Sequence, residues 1–435
     1  MELFNPDSLW RYFYNTSWLL AERVFRILSI LFLTVWLARY LGPEKFGVLN
    51  YIQSFIGIFV LFTNLGLDNL LVRDLVRSAY KENVLLGTAF IMRCISIIII
   101  LVLLYLCNVY IGNDDYISLL IFIMAIGYLL QPCTIIEYYY QAKVNSKNTV
   151  IAYFIPTVLL IIALSFLILI NADLEYIVIA FTLYNVFIGL LLLIIYTKNN
   201  QSILSWQFNK FIAIGYIKEG WPLIISAAMV SIYINIDKIM IQEILGAVET
   251  GQYSAAAKLS EGWYFIPTII VSSLFPAIIN AKQTSEKHYY KRLQNLYDLM
   301  VWLGLFVAII ISMLANDIII LLYGDTYSRA SDVLVIHIWS GIFVFLGVAS
   351  GKWMILEGYT KQYLYRTISG VILNVIANIV FIPVYGINGA AIATLIASIY
   401  VAIVFDVFSL KTLTSFKMKC RALFPIHLIR QIKLY

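Results

Sequence analysis

The sequence predicts an all-α polytopic membrane protein, with about twelve transmembrane helices in two six-helix bundles around a central cavity. Three observations lead there. The 435-residue chain is 62% hydrophobic and only 12% charged, with a mean hydropathy of +0.88. Apolar stretches long enough to span a bilayer recur along its whole length, separated by short polar breaks. A motif in one of these breaks returns at the matching place in the second half.

Soluble domains carry about 25% charged residues and 45–50% apolar ones, so no water-soluble fold hides this much apolar surface. Lipid is the expected solvent for most of the chain. The formal net charge is +6, but the basic residues lie in short loops and the tail and read as topology signals rather than a nucleic-acid surface. Cys94, Cys107, Cys133 and Cys420 form no CxxC, and His288, His337 and His427 are scattered. Neither a disulfide framework nor a zinc site is expected. The first apolar run is too long for the core of a cleavable signal peptide and is expected to remain as the first helix.

Taken in order, the first six spans are expected at about 14–39, 46–69, 84–109, 116–139, 150–171 and 175–197. Six more are expected at about 217–243, 252–279, 293–315, 332–356, 363–384 and 388–410. The implied organisation is an N-terminal bundle over 1–197, a cytoplasmic linker over 198–216, a C-terminal bundle over 217–410 and a basic cytoplasmic tail over 411–435.

Basic residues set the orientation. With a cytoplasmic N-terminus, the inner segments hold Arg11, Arg73, Arg77, Lys81, Lys143, Lys147, Lys198, Lys210, the cluster from Lys282 to Arg292, and Lys361. The tail adds Lys411, Lys417, Lys419, Arg421, Arg430 and Lys433, against Lys45 and Arg329 outside. That bias places both termini in the cytoplasm. The outer acidic pair Asp114-Asp115 reads as a solvated turn, and the longest outer connection runs from about Asn316 to Ser331. The run Tyr138-Tyr139-Tyr140 reads as an interfacial belt.

The repeat is LGxxxxG. Leu41-Gly-Pro-Glu-Lys-Phe-Gly47 leads into the second helix, and Leu245-Gly-Ala-Val-Glu-Thr-Gly251 leads into the eighth. Trp18 and Trp221 fall at nearly the same offset before them. Six helices per half return the chain to its starting side, so the halves read as parallel repeats about an axis along the membrane normal, a transporter geometry.

Ionisable residues inside spans cost about 2.5–3.5 kcal/mol each on insertion scales and therefore face polar surroundings. Glu22, Arg23 and Arg26 make one stripe of the first helix at i,i+3 and i,i+4 spacing. Arg93 lies in the third, Asp237 and Lys238 in the seventh, and Lys258 and Glu261 on one face of the eighth. Lys352 and Arg366, near helix ends, are placed to snorkel. Two readings stay open for the buried charges. They are internal pairs, such as Glu22 with Arg26 or Asp237 with Lys258, or they line a cavity for an anionic substrate, since guanidinium groups bind phosphate bidentately. Glu22, Asp237 and Glu261 are the protonatable candidates for ion coupling. No GxxxxGK[ST], GxSxG or HExxH occurs, so no ATPase engine and no catalytic residues are expected. The small-residue run Gly386-Ile-Asn-Gly-Ala-Ala-Ile-Ala393 signals close backbone packing.

LARYLGPEKFG, DKIMIQEILGAVETGQYSAAAKLSE and VYGINGAAIAT, in this order, resemble the polysaccharide transport family, a branch of the multidrug/oligosaccharidyl-lipid/polysaccharide exporter superfamily, and within it the Wzx-type O-antigen flippases. The resemblance spans nearly the whole chain. It implies a multi-pass protein of the bacterial inner membrane that flips an undecaprenyl-pyrophosphate-linked oligosaccharide to the periplasmic leaflet by rocking two bundles. It also implies H+ or Na+ coupling, no other cofactor, membrane lipids as surroundings, and a polysaccharide polymerase and chain-length regulator as partners. Arg23, Arg26, Asp237, Lys238, Lys258 and Glu261 occupy the helices that line the cavity in such proteins.

Three alternatives are weighed. A multidrug or cation exporter of the same superfamily calls for acids and aromatics rather than the mid-helix Arg23, Arg26 and Arg93. A polymerase or membrane glycosyltransferase calls for a long catalytic outer loop. A peptidoglycan-precursor flippase calls for additional helices.

Overall fold

A computed structural model describes residues 6–77, 81–199 and 202–423. Among them sixteen α-helices follow one another. They are α1 (Pro6–Val60), α2 (Leu67–Arg77), α3 (Glu82–Ile111), α4 (Asp115–Ile126), α5 (Ile135–Ala142), α6 (Lys147–Leu169), α7 (Leu174–Lys198) and α8 (Lys210–Leu245). Then come α9 (Ala247–Glu261), α10 (Phe265–Thr284), α11 (Glu286–Tyr323), α12 (Ala330–His337), α13 (Ser340–Leu356), α14 (Thr360–Tyr385), α15 (Ile387–Ala402) and α16 (Leu413–Leu423). Among the described residues, eleven helical segments are long and apolar enough to cross a membrane, and the first of them contains the bend of α1. The protein is an all-α polytopic membrane protein. Arg430 and Lys433 lie outside the described residues, as does the side chain of Arg11.

Glycine makes the bend. Gly42 has φ 69° inside α1, and Pro43 opens the next arm. Only glycine adopts that angle without strain, and proline is tolerated where a new helical turn starts because its missing N–H has no helical partner there. Gly246, at the same place in the repeat, has φ 91° and separates α8 from α9.

The final glycine of each LGxxxxG motif does something else. A Cβ on Gly47 would sit 1.8 Å from the carbonyl oxygen of Ala247, and one on Gly251 would sit 1.9 Å from that of Pro43. The two copies of the motif therefore pack reciprocally, seventh residue on third. The repeat read from sequence is a real internal contact.

Two compact units share the chain. One holds α1 up to Leu41 and Tyr51–Ser231; the other holds Gly42–Asn50 and everything from Ile232. The first unit has a core of Leu71, Leu86, Ala89, Ile135, Ala152 and Leu192. Residues of the segment read as a linker pack onto it. Trp206 lies 5.5 Å from the ring of Tyr196 and donates to its hydroxyl at 3.1 Å. Tyr139 and Tyr140 are buried in the same core, so the tyrosine run is packing and not a belt at the membrane surface. Asp114 caps α4, accepting from the Ile117 N–H at 2.7 Å, which accounts for that acid as a turn residue.

In the second unit, small residues let helices approach. Ala390, Ala391 and Ala393 are fully buried at the start of α15. The connection read over Asn316–Ser331 is shorter than expected, because α11 continues to Tyr323. Arg366 does not snorkel; it is buried and donates to Ser350 Oγ at 2.9 Å. The basic residue Lys419 of α16 is likewise turned inward. It is fully buried, donating to the Ala402 carbonyl at 2.6 Å and Asp406 Oδ2 at 2.7 Å. Burial pushes its ammonium down to about 8 despite the carboxylate beside it.

Candidate functional site

Each unit carries a polar centre that gathers residues predicted from the sequence. In the first, the stripe on α1 faces the end of α5 and the start of α6. Glu22, Arg23 and Arg26 line a cavity of about 340 Å3 with Glu137, Gln141, Thr149 and Tyr153. Arg26 Nε lies 3.0 Å from Glu22 Oε1, and its guanidinium sits 4.7 Å from the centre of the Tyr153 ring. The Tyr153 hydroxyl donates to Glu137 Oε2 at 2.8 Å. The expected internal pair of Glu22 with Arg26 is present, and it forms one wall of a cavity.

Arg93 is brought elsewhere in the same unit. It is buried, donating to Thr134 Oγ1 at 2.7 Å, Asp68 Oδ1 at 3.1 Å and Tyr138 Oη at 3.4 Å. Tyr138 donates to the same Asp68 oxygen at 2.8 Å. This group fastens α2, α3 and α5 together. Arg93 is buried while the Asp68 side chain is 46% exposed, so removing Asp68 leaves the buried guanidinium without its carboxylate, which makes the pair a structural tie.

In the second unit, Asp237 is the centre. Its carboxylate is buried and accepts from Tyr253 Oη at 2.8 Å, Asn378 Nδ2 at 2.6 Å and Thr394 Oγ1 at 2.5 Å. All three donors are neutral. Asn374 Oδ1 accepts from Asn378 at 3.3 Å, while Asn374 Nδ2 and Asn378 Oδ1 are buried with no hydrogen-bond partner. The pairing of Asp237 with Lys258 posed from sequence is replaced by another. Lys238 reaches Glu261 Oε1 at 3.5 Å, and the Lys258 ammonium lies 5.5 Å from the centre of the Phe46 ring. His337 is buried beside this group, its Nδ1 2.9 Å from Ser260 Oγ and its ring edge-on to Tyr253.

Glu137, Gln141, Asn374, Asn378 and Thr394 were not singled out in the sequence. The i,i+4 spacing of Asn374 and Asn378 in an apolar span was the available signal. Among the described residues, no three His, Cys, Asp or Glu side chains are grouped as metal ligands.

The chain matches the polysaccharide biosynthesis protein family over residues 13–282, more than half of its length. It belongs to that family. A second match, to the MatE family, covers residues 222–380. Among relatives of this family member, the capsular polysaccharide biosynthesis protein CapF of Staphylococcus aureus is 23% identical over 411 residues, covering 90% of this chain and 97% of the relative. An uncharacterized membrane protein of Methanocaldococcus jannaschii is 23% identical over 386 residues, covering 84% and 89%. Two of the solved structures that share the fold serve as examples. One is an inward-facing multidrug resistance MATE family transporter of the MOP superfamily, with a TM-score of 0.68, 14% identity and coverage of 91% and 95%. The other is the lipid II flippase MurJ in an inward closed conformation, with a TM-score of 0.66, 17% identity and coverage of 94% and 92%.

Proposed function

We propose that this protein is a flippase that moves a lipid-linked oligosaccharide, the undecaprenyl-pyrophosphate-linked repeat unit of a surface polysaccharide, between membrane leaflets by alternating access. The observation that carries the reading is the chamber of Glu22, Arg23, Arg26 and Glu137 within membrane-length helices of a polysaccharide biosynthesis family member. Bare transfer of one ion into a low-dielectric interior costs several kcal/mol even after relaxation. A chamber with fixed guanidinium groups and hydrogen-bonding oxygens replaces the lost water around a sugar pyrophosphate. No covalent step is needed. Orientation follows the basic residues: both termini on the cytoplasmic side of a bacterial inner membrane, with the chamber opening near that surface. A polysaccharide polymerase and a chain-length regulator are partners consistent with this step.

For ion coupling, Asp237 is the strongest of the three candidates. Glu22 and Glu261 sit in ion pairs with Arg26 and Lys238, whereas the three recorded hydrogen-bond donors to Asp237 are neutral. A proton neutralises such a carboxylate directly. Sodium, a hard cation, takes oxygen ligands of the kind gathered there: Asp237, Thr394 and the unpaired Asn378 Oδ1.

The test is to delete the gene and analyse the lipid-linked oligosaccharides. Accumulation on the cytoplasmic leaflet, reversed by the wild-type gene, identifies the step and the glycan. Normal transfer in the deletion strain sinks the reading. The MatE match over residues 222–380 favours efflux of organic cations as the second reading, which predicts drug hypersensitivity with no change in glycan.

A further inference from the structure

The polar chamber of the first unit has an apolar neighbour. A groove of about 360 Å3 runs between α1 and α6, walled by Trp18, Ala21 and Phe25 on one side and Ile151, Phe154 and Ile155 on the other. Glu22 lines both cavities. Residues 18, 21, 22 and 25 recur at i, i+3, i+4 and i+7, one stripe of a helix, and Arg23 and Arg26 begin the adjoining stripe. Trp18, Ile151, Phe154 and Ile155 stay 36–43% exposed. The seam is bridged by a ring contact of Phe25 with Phe154 at 5.0 Å, and the small side chain of Ala21 leaves the hollow beside it.

We infer that the α1–α6 seam is a lateral docking site for the polyprenyl phosphate end of the lipid-linked glycan, with the isoprene units nearest the phosphate in the groove, the rest of the chain in lipid, and the phosphate and first sugar in the chamber. This rests on the flippase reading above. Through Glu22 an apolar groove adjoins a polar chamber, the pairing of surfaces an amphiphile needs. Arg23, exposed at the rim, meets phosphate. Glu137, Gln141 and Thr149 supply acceptors for sugar hydroxyls. Gln141 lies in the last turn of α5 and Thr149 in the first turn of α6, so the chamber sits at the ends of these two helices. A single narrow groove suits one prenyl chain rather than the paired acyl chains of a bilayer phospholipid, and an acceptor-rich chamber suits a polyhydroxylated head.

The experiment titrates purified full-length protein in phosphatidylcholine nanodiscs with undecaprenyl pyrophosphate, and separately with inorganic pyrophosphate. Ala21→Trp fills the groove and leaves the chamber intact. It should weaken binding of the prenylated probe at least about tenfold and leave inorganic pyrophosphate unchanged. Arg23→Gln should weaken both by about tenfold. Ile151→Trp, on the opposite wall, supplies the same block if Ala21→Trp fails to fold. Equal binding of the prenylated probe by wild type and groove variants overturns the docking site while leaving the flippase reading standing. Failure of wild type to bind or flip the probe sinks that reading as well. Competition by phosphatidylglycerol at equal mole fraction marks the seam as a general lipid site and also overturns the proposal.

Discussion

Asn378 donates to Asp237 across 2.6 Å, from a helix 141 residues further along the chain. The contact closes a carboxylate into a shell of neutral donors, with Tyr253 and Thr394 on its other oxygen.

That shell makes Asp237→Asn informative. The amide keeps the shape and removes the charge, so the protein should insert and accumulate normally. Transport in sealed vesicles should lose its dependence on an imposed H+ or Na+ gradient. A wild-type gradient response in this variant would exclude Asp237 as the coupling group.

The glycine contact gives a stability prediction. The neighbours of a Cβ at Gly47 are backbone atoms of Ala247 and Gly251, which cannot rotate away. Gly47→Ala should cost at least about 1–3 kcal/mol, the usual range for overpacking. Gly347, in α13, has nothing within 4 Å of its would-be Cβ. Gly347→Ala should be neutral or stabilise by up to about 1 kcal/mol through helix propensity. Thermal unfolding in detergent compares the two; equal effects would show that the reciprocal contact is loose.

Tyr153 binds two charged groups at once, so its loss should be non-additive. Tyr153→Phe keeps the ring beneath Arg26 and removes the donor to Glu137. A double-mutant cycle with Glu137→Gln should return a coupling of about 0.5–3 kcal/mol in unfolding free energy. Simple addition of the two effects would mean that the hydroxyl and the carboxylate are independent.

Lys419 links stability to pH. Its folded value of about 8 lies below the ordinary 10.5, so between these the unfolded chain binds the extra proton. This group's contribution to stability therefore rises with pH across that window. The difference in stability between wild type and Lys419→Met should grow from pH 8 to 10.5; a flat difference contradicts the shift. At pH 7 the variant should lose about 3–5 kcal/mol, because it strands the buried Asp406 charge.

What could be read from the residues alone had local causes. The spans follow from runs of apolar side chains, and the bend follows from Gly42-Pro43. Glu22, Arg23 and Arg26 come together because one helical stripe carries them. The Asp237 shell was hidden because its partners are neutral and lie on α9, α14 and α15, beyond any window of the chain. Asp68, the partner of Arg93, was assigned to the end of a span, whereas the short helix α2 carries it. Glu137 and Gln141 were masked by the tyrosines between them, and Lys419 by tail neighbours Lys411, Lys417 and Arg421 that are exposed. Hydropathy reports how much surface leaves water. It does not report which polar groups meet once it has left.

The exchange of short segments between the units bears on how the protein can be made. Gly42–Asn50 leaves the ribosome early yet completes the unit translated last, and Lys210–Ser231 is its late counterpart. A break between Ser202 and Asn209 therefore does not yield two self-sufficient halves. Each polypeptide keeps a piece that the other needs, so biogenesis of either depends on co-synthesis with its complement.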